Sequence, residues 1–146
     1  MMMVECNPAL SKAVNLPKDP LISIIDDDTS VREATKGFVR SMGYAAEAFA
    51  SAEEYLESDR VADTACLITD IQMPAMSGAD LQDRLIADGY RMPIIFVTAF
   101  PDSKMRARVL NAGACGFLIK PFSDESLIEC LDKALLNGRT DPASQS

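Results

Sequence analysis

Five short apolar runs recur along the chain, and each ends at polar or turn-forming residues. Runs of this length between turn signals are typical of buried strands. Apolar residues between and after the runs recur every three or four positions, which predicts amphipathic helices. Five strands that alternate with five helices predict an α/β fold, a parallel sheet with helices on both faces. The runs lie at residues 21–25, 45–49, 64–70, 93–98 and 116–119.

The predicted helices start at capping residues and stop at glycines. Thr29 or Ser30 is expected to cap the first helix, and Ser51 the second. The fourth helix, about residues 103–111, has few apolar positions, so we expect it to be loosely held. The fifth helix is expected to end just before Gly138.

Composition excludes several classes of function. The sequence contains no His, which removes Ser-His-Asp and Cys-His catalysis and most zinc sites. The net charge of −8 argues against direct binding of nucleic acid by this chain. The four Cys show no CxxC spacing, so we expect reduced thiols.

The length of 146 residues suits one domain. We expect that domain at residues 21–137, between an N-terminal tail (1–20) and a C-terminal tail or start of a linker (138–146). No apolar stretch approaches the roughly 20 residues of a membrane helix, and no signal peptide is evident. These features predict a cytoplasmic protein without a membrane partner.

Polar side chains stand at the C-terminal ends of four predicted strands. Asp26 and Asp27 follow the first, Asp70 ends the third, Thr98 ends the fourth and Lys120 follows the fifth. Taken singly, each has an ordinary structural role, as a helix cap or a solvated charge. In a parallel sheet, however, these ends share the edge where ligands bind. Clustered carboxylates without His favour a hard cation such as Mg²⁺, and with an ammonium they would clamp a phosphoryl group that Asp70 accepts.

Together these motifs resemble the receiver domain of bacterial two-component response regulators, most closely the FixJ/NarL-like branch. The resemblance covers about residues 21–136. It implies the CheY-like (flavodoxin-like) doubly wound fold with strand order 2-1-3-4-5. It also implies a phospho-accepting switch, a phosphoprotein rather than a turnover enzyme. The motifs are Ile24–Asp28, Ile68–Pro74 with Ser77 and Gly78, Val97–Ala99 and Lys120–Phe122.

The resemblance also assigns a metal site. Asp70 would be the phosphoacceptor. Asp27 and Asp70 would bind Mg²⁺ directly, together with the backbone carbonyl of Gln72. Asp26 would bind the ion through water.

The remaining roles concern the phosphoryl group and the switch. Thr98 and the backbone amide of Ala99 would bind the phosphoryl group, and Lys120 would pair with it. The peptide bond between Lys120 and Pro121 is expected to be cis. The family's switch couples the Thr to an aromatic residue, which is Phe117 here. Phe117 is equally well explained as a core aromatic, since Phe lacks the hydroxyl that Tyr would supply.

The implied partners are a sensor histidine kinase or a phosphotransfer protein. The output surface would be the fourth helix, fifth strand and fifth helix, through which activated relatives often form homodimers. Met105, Val109, Phe117 and Leu118 are the candidate residues there, although each also fits the core. The chain is either a stand-alone receiver or part of a transcription factor with a DNA-binding effector domain.

A phosphatase is the alternative from another class. Asp26-Asp27-Asp28 resembles the Asp-x-Asp motif of haloacid-dehalogenase-like phosphohydrolases, with Asp26 as nucleophile and Asp28 as acid/base. Thr98 would fit their hydroxyl residue. This alternative leaves the motif around Asp70 unexplained, and the chain is short for that fold.

Overall fold

The five apolar runs form one parallel sheet in the computed structural model, which describes residues 19–139, the last three as backbone only. Across the sheet the strands lie in the order β2-β1-β3-β4-β5, as the resemblance implied. The predicted N-terminal tail up to residue 18 and the end of the C-terminal tail lie outside the described residues. The strands are β1 (Leu21–Ile25), β2 (Ala45–Phe49), β3 (Thr64–Asp70), β4 (Ile94–Thr98) and β5 (Gly116–Ile119).

Five helices connect and cover the strands of the described part. They are α1 (Thr29–Ser41), α2 (Ala52–Glu57), α3 (Gly78–Ala87), α4 (Ser103–Asn111) and α5 (Asp124–Arg139). Val39 of α1 and Leu127 of α5 are fully buried in the apolar cluster on one face of the sheet. Tyr55, Leu81 and Val109 bring α2, α3 and α4 into a second cluster on the other face. The predicted doubly wound α/β architecture is therefore confirmed.

Two predictions about helix ends are wrong. Asp28, not Thr29 or Ser30, caps α1, because its carboxylate accepts a hydrogen bond from the Val31 amide at 3.1 Å. The helix α5 continues past Gly138 to Arg139, since one glycine costs a helix only about 1 kcal/mol. Ser51 caps α2 as predicted, and its hydroxyl accepts from the Glu54 amide.

The fully buried residue of helix α4 lies in its C-terminal half. Val109 is the residue of α4 that is fully buried, so it is a core residue and not part of an exposed output surface. Its backbone carbonyl accepts a hydrogen bond from Nε2 of Gln82 in α3 at 3.0 Å. Arg108 pairs with Asp83 of α3 at 2.7 Å. The narrow apolar stripe is thus supplemented by polar contacts at one end.

None of the helices within residues 19–139 is both long and apolar enough to cross a membrane. Among the described cysteines, Cys66, Cys115 and Cys130 are free thiols, as predicted.

Candidate functional site

Neighbouring strands bring three carboxylates together at one edge of the sheet. β1 pairs with β3 in parallel, with Ile25 opposite Thr69, so Asp26 and Asp70 leave the sheet side by side. Asp27 follows directly, and Asp26, Asp27 and Asp70 each offer an oxygen within 4.8 Å of the others. The side chains of Asp26 and Asp70 are buried, whereas Asp27 is exposed. The cluster therefore has a buried floor and one side open to solvent.

Lys120 reaches into this cluster from the end of β5. Its Nζ lies 2.9 Å from an oxygen of Asp26 and 2.9 Å from an oxygen of Asp70. Its backbone amide donates to the carbonyl of Thr98 at 2.8 Å, which fixes the chain beside β4. The bond from Lys120 to Pro121 is cis, as the resemblance implied. The lysine thus bridges two carboxylates carried by different strands.

Burial and the charge of the partner have opposite effects on the pKa values of Asp70 and Lys120. Burial raises the pKa of Asp70 above its ordinary value, and the nearby Asp26 charge adds to that effect, while the hydrogen bond and charge of Lys120 oppose it. Burial alone would lower the pKa of Lys120, but its hydrogen bonds to Asp26 and Asp70 outweigh this and raise it. The lysine therefore stays an ammonium, and it offsets only part of the negative charge.

The donor set fits a hard divalent cation such as Mg²⁺. All three clustered side chains offer oxygen, the ligand that Mg²⁺ prefers. Asp26 already accepts hydrogen bonds from Lys120 and from the Asp28 amide, at 2.9 Å each, whereas Asp27 faces solvent. An ion would relieve the repulsion between the carboxylates, which the single ammonium leaves uncompensated.

Thr98 ends β4 as predicted, and only 1% of its surface is exposed. Its hydroxyl donates to the side-chain oxygen of Gln72 at 2.5 Å and accepts from the Phe100 amide at 3.0 Å. Ala99, whose amide is the predicted phosphoryl ligand, is exposed next to it. The metal site predicted from the sequence uses the backbone carbonyl of Gln72, and the contact between the Gln72 side chain and Thr98 was not predicted.

Phe117 lies in β5 opposite Phe96 of β4, half-buried against the cluster that includes α4. Because side chains alternate along a strand, Phe117 and Thr98 belong to the same face of the sheet. The guanidinium of Arg106 in α4 lies 5.7 Å from the centre of the Phe117 ring. Phe117 thus contacts the sheet core and a charged side chain of α4.

The loop after Asp70 turns back closely on the strand, and Gly78 makes this possible. A Cβ atom on Gly78 would overlap the backbone oxygen of Asp70. The Gly78 amide donates to the carbonyl of Ile71 at 2.9 Å. In the sequence Gly78 was one residue of the family motif after Asp70, and its close approach to the acceptor strand was not predicted. A glycine here holds the loop against the end of β3.

Comparison with known proteins identifies the family. The family model described as the response regulator receiver domain matches residues 22–132. The response regulator protein TodT of Pseudomonas putida is 41% identical over 115 residues, which are 79% of this chain and 51% of TodT. The transcriptional regulatory protein FixJ of Azorhizobium caulinodans is 33% identical over 82% of this chain and 57% of its own length.

A solved structure agrees with these sequence matches. The low-resolution structure of the response regulator StyR superposes with a TM-score of 0.77 and 39% identity, covering 83% of this chain and 61% of StyR. The chain spans about half the length of TodT.

The family match supports the receiver domain against the phosphohydrolase alternative. Asp28, the acid/base of the phosphohydrolase alternative, is the cap of α1. Receiver domains are signalling proteins of two-component systems that interact with histidine kinases or phosphotransfer proteins and bind Mg²⁺ in an acidic pocket. The chain belongs to the response regulator receiver domain family.

Proposed function

We propose that Asp70 accepts a phosphoryl group from a sensor histidine kinase or a phosphotransfer protein, in a reaction that depends on Mg²⁺. The observation that carries the proposal is the cluster itself. Asp26, Asp27 and Asp70 offer oxygens within 4.8 Å of one another, and Lys120 is hydrogen-bonded to two of the three. Carboxylates held this closely need a cation, and a bound phosphoryl group needs the same positive charge.

Asp70 is the acceptor in this proposal because its carboxylate ends a strand at the floor of the cluster. One of its oxygens forms a bond to phosphorus as the bond from phosphorus to the donor's imidazole nitrogen breaks, and the imidazole takes a proton from solvent. Mg²⁺, held by Asp27, Asp70 and the backbone carbonyl of Gln72, with Asp26 acting through water, would neutralise the charge that develops on the phosphoryl oxygens.

The other residues hold the phosphoryl group once it is attached. Lys120 would move its hydrogen bond from Asp70 to a phosphoryl oxygen, and it is already within 2.9 Å of the acceptor carboxylate. The hydroxyl of Thr98 and the amide of Ala99 would donate to the other oxygens. The new group adds roughly −1.5 to −2 charges, which biases the surrounding loops toward a second arrangement.

The output in this proposal is the surface formed by α4, β5 and α5. Phe117 would turn inward as Thr98 moves toward the phosphoryl group. Met105 and Leu118, both partly exposed, are then available for a homodimer or an effector domain. FixJ is named a transcriptional regulator, so control of transcription is the proposed outcome, through another domain rather than direct binding of nucleic acid by this chain. The cytoplasmic location stays a prediction.

Labelling by a small phosphodonor tests the acceptor. With acetyl phosphate and Mg²⁺, the intact protein should gain the mass of one phosphoryl group, and chelation of Mg²⁺ should prevent the gain. Asp70→Asn should take up none, whereas Asp63→Asn, which changes an exposed Asp away from the cluster, should label normally. Phosphate found on Asp26, or labelling that persists in Asp70→Asn, would overturn the assignment.

A further inference from the structure

The side chain of Gln72 joins the loop after β3 to the loop after β4. Its oxygen accepts the proton of the Thr98 hydroxyl at 2.5 Å, and its Nε2 donates to the carbonyl of Phe100 at 3.4 Å. The amide of Phe100 in turn donates to the Thr98 hydroxyl at 3.0 Å. We call the two hydrogen bonds made by the Gln72 side chain the Gln72 bridge.

The Gln72 bridge uses the one proton that Thr98 can donate. A hydroxyl has a single O–H donor, and its other capacity is to accept. Here that proton points to Gln72, and the accepting side is taken by Phe100. In this arrangement Thr98 has no donor left for an oxygen of a phosphoryl group on Asp70.

We propose that the Gln72 side chain is a positioning residue that holds the Thr98 hydroxyl in the unphosphorylated arrangement, so that a phosphoryl group must displace Gln72 to gain this ligand. The inference rests on the proposed function of Asp70 as phosphoacceptor. It concerns the side chain of Gln72 and is independent of the backbone carbonyl proposed as a metal ligand. A substitution of the side chain therefore leaves that carbonyl in place.

The bridge also connects the site to α4. Phe100 is the second residue of the short segment between β4 (Ile94–Thr98) and α4 (Ser103–Asn111), and its carbonyl accepts a hydrogen bond from Gln72. When Thr98 turns to the phosphoryl group, the Gln72 side chain loses its buried partner and keeps only an exposed one. Release of Thr98 thus loosens the start of the connection to α4 in the same event.

Equilibrium binding of beryllofluoride, which mimics a phosphoryl group on a carboxylate, tests the bridge. Gln72→Met keeps the length of the side chain and removes both hydrogen bonds. In the wild type the hydrogen bond from Thr98 to Gln72 must break before Thr98 can bind the ligand, and in Gln72→Met this bond is absent. The variant should therefore bind beryllofluoride with Mg²⁺ roughly twofold to tenfold more tightly than the wild type. Equal or weaker binding would overturn the proposal, since it would mean that Gln72 does not compete for Thr98.

A double-mutant cycle separates this role from a general structural one. Thr98→Val removes the hydroxyl with little change of shape. In that background Gln72→Met should no longer tighten beryllofluoride binding. An equal gain with and without the Thr98 hydroxyl would show that Gln72 acts through another contact and would overturn the proposal.

The free protein provides a readout without metal or ligand. Three-bond NMR couplings of Thr98 should report one χ1 rotamer in the wild type and an average over rotamers in Gln72→Met. One unchanged rotamer in both proteins would contradict the bridge.

If the wild type binds no beryllofluoride, the proposed function fails and the inference with it. If the wild type binds and Gln72→Met binds no more tightly, the inference alone fails.

Discussion

Removal of the Lys120 charge tests the electrostatics of the carboxylate cluster. Lys120→Met keeps most of the side-chain volume but leaves Asp26 and Asp70 without their shared partner. The oxygens of the clustered carboxylates lie within 4.8 Å of one another, so each ionised pair repels by about 3.5 kcal/mol at an effective dielectric constant of about 20. Leaving a buried charge unpaired typically costs about 3–5 kcal/mol.

The Lys120 side chain is 17% exposed, so solvent screening reduces both ends of the range of about 3–5 kcal/mol. We therefore expect Lys120→Met to lower the free energy of unfolding by about 2–4 kcal/mol at neutral pH without Mg²⁺. Two conditions should recover part of the loss. Mg²⁺ replaces the missing positive charge, and a lower pH protonates one carboxylate, most readily Asp70, whose pKa is already raised by burial.

Urea unfolding followed by circular dichroism measures these changes at about pH 7.5 and about pH 5.5, with chelator and with Mg²⁺. Lys104→Met is the matched control, because Lys104 is an exposed lysine on α4, and it should change stability by less than about 0.5 kcal/mol. A cost of less than about 1 kcal/mol for Lys120→Met in chelator would contradict this expectation. So would a difference from wild type in the free energy of unfolding that neither Mg²⁺ nor acid reduces.

Three further substitutions test other features by the same unfolding assay. Asp70→Asn without Mg²⁺ should be more stable than wild type, and the gain in the free energy of unfolding should grow as pH rises. The pKa of Asp70 is raised in the folded protein, so the stability that Asp70 contributes is complete at low pH and is lost as pH rises through that pKa. A gain that shrinks with rising pH would contradict this. Ala75→Gly should stabilise the protein by about 0.5–1 kcal/mol, since Ala75 has a φ of 66° and its side chain is exposed. A loss of stability would contradict the backbone strain expected at Ala75. Gly78→Ala should destabilise the protein by about 1–3 kcal/mol, because the added Cβ forces the loop away from Asp70. Gly37→Ala is the control, and because Gly37 has open space around it in α1, this change should be neutral or stabilising. Equal effects of the two substitutions would contradict the close contact between Gly78 and Asp70.

The site could be predicted from the sequence because the geometry of a parallel sheet determines where the strand ends lie. Once the strands are placed, Asp26, Asp70 and Lys120 must emerge at one edge, and no side-chain detail is needed to bring them together. The strands in turn were evident because they are short, apolar and bounded by turn residues. The fold and the cluster thus depend on local patterns that the sequence displays directly.

What the sequence missed depends on contacts that have no periodic signal. Gln72 and Thr98 are 26 residues apart, and their hydrogen bond follows from the paths of two loops. Asp28 rather than Thr29 caps α1 because the backbone is extended at Asp28 and already helical at Thr29, and residue type alone does not choose between neighbours that are both able to cap. For Val109 the sequence left the output surface and the core as alternatives, and the structure places it in the core, where α4 packs against α3 and β5.

The uneven burial along α4 has a mechanical consequence. Val109 is buried and Arg108 is paired near one end, whereas Met105, nearer the other end, is only partly buried, so a tilt of the helix about Val109 would mainly move the end around Ser103. From Val109 to Ser103 the helix rises about 9 Å, so a tilt of roughly 10° about Val109 would move its N-terminal end by about 1.6 Å. A small rearrangement next to Phe100 would then be read out as a displacement large enough for a second protein to sense.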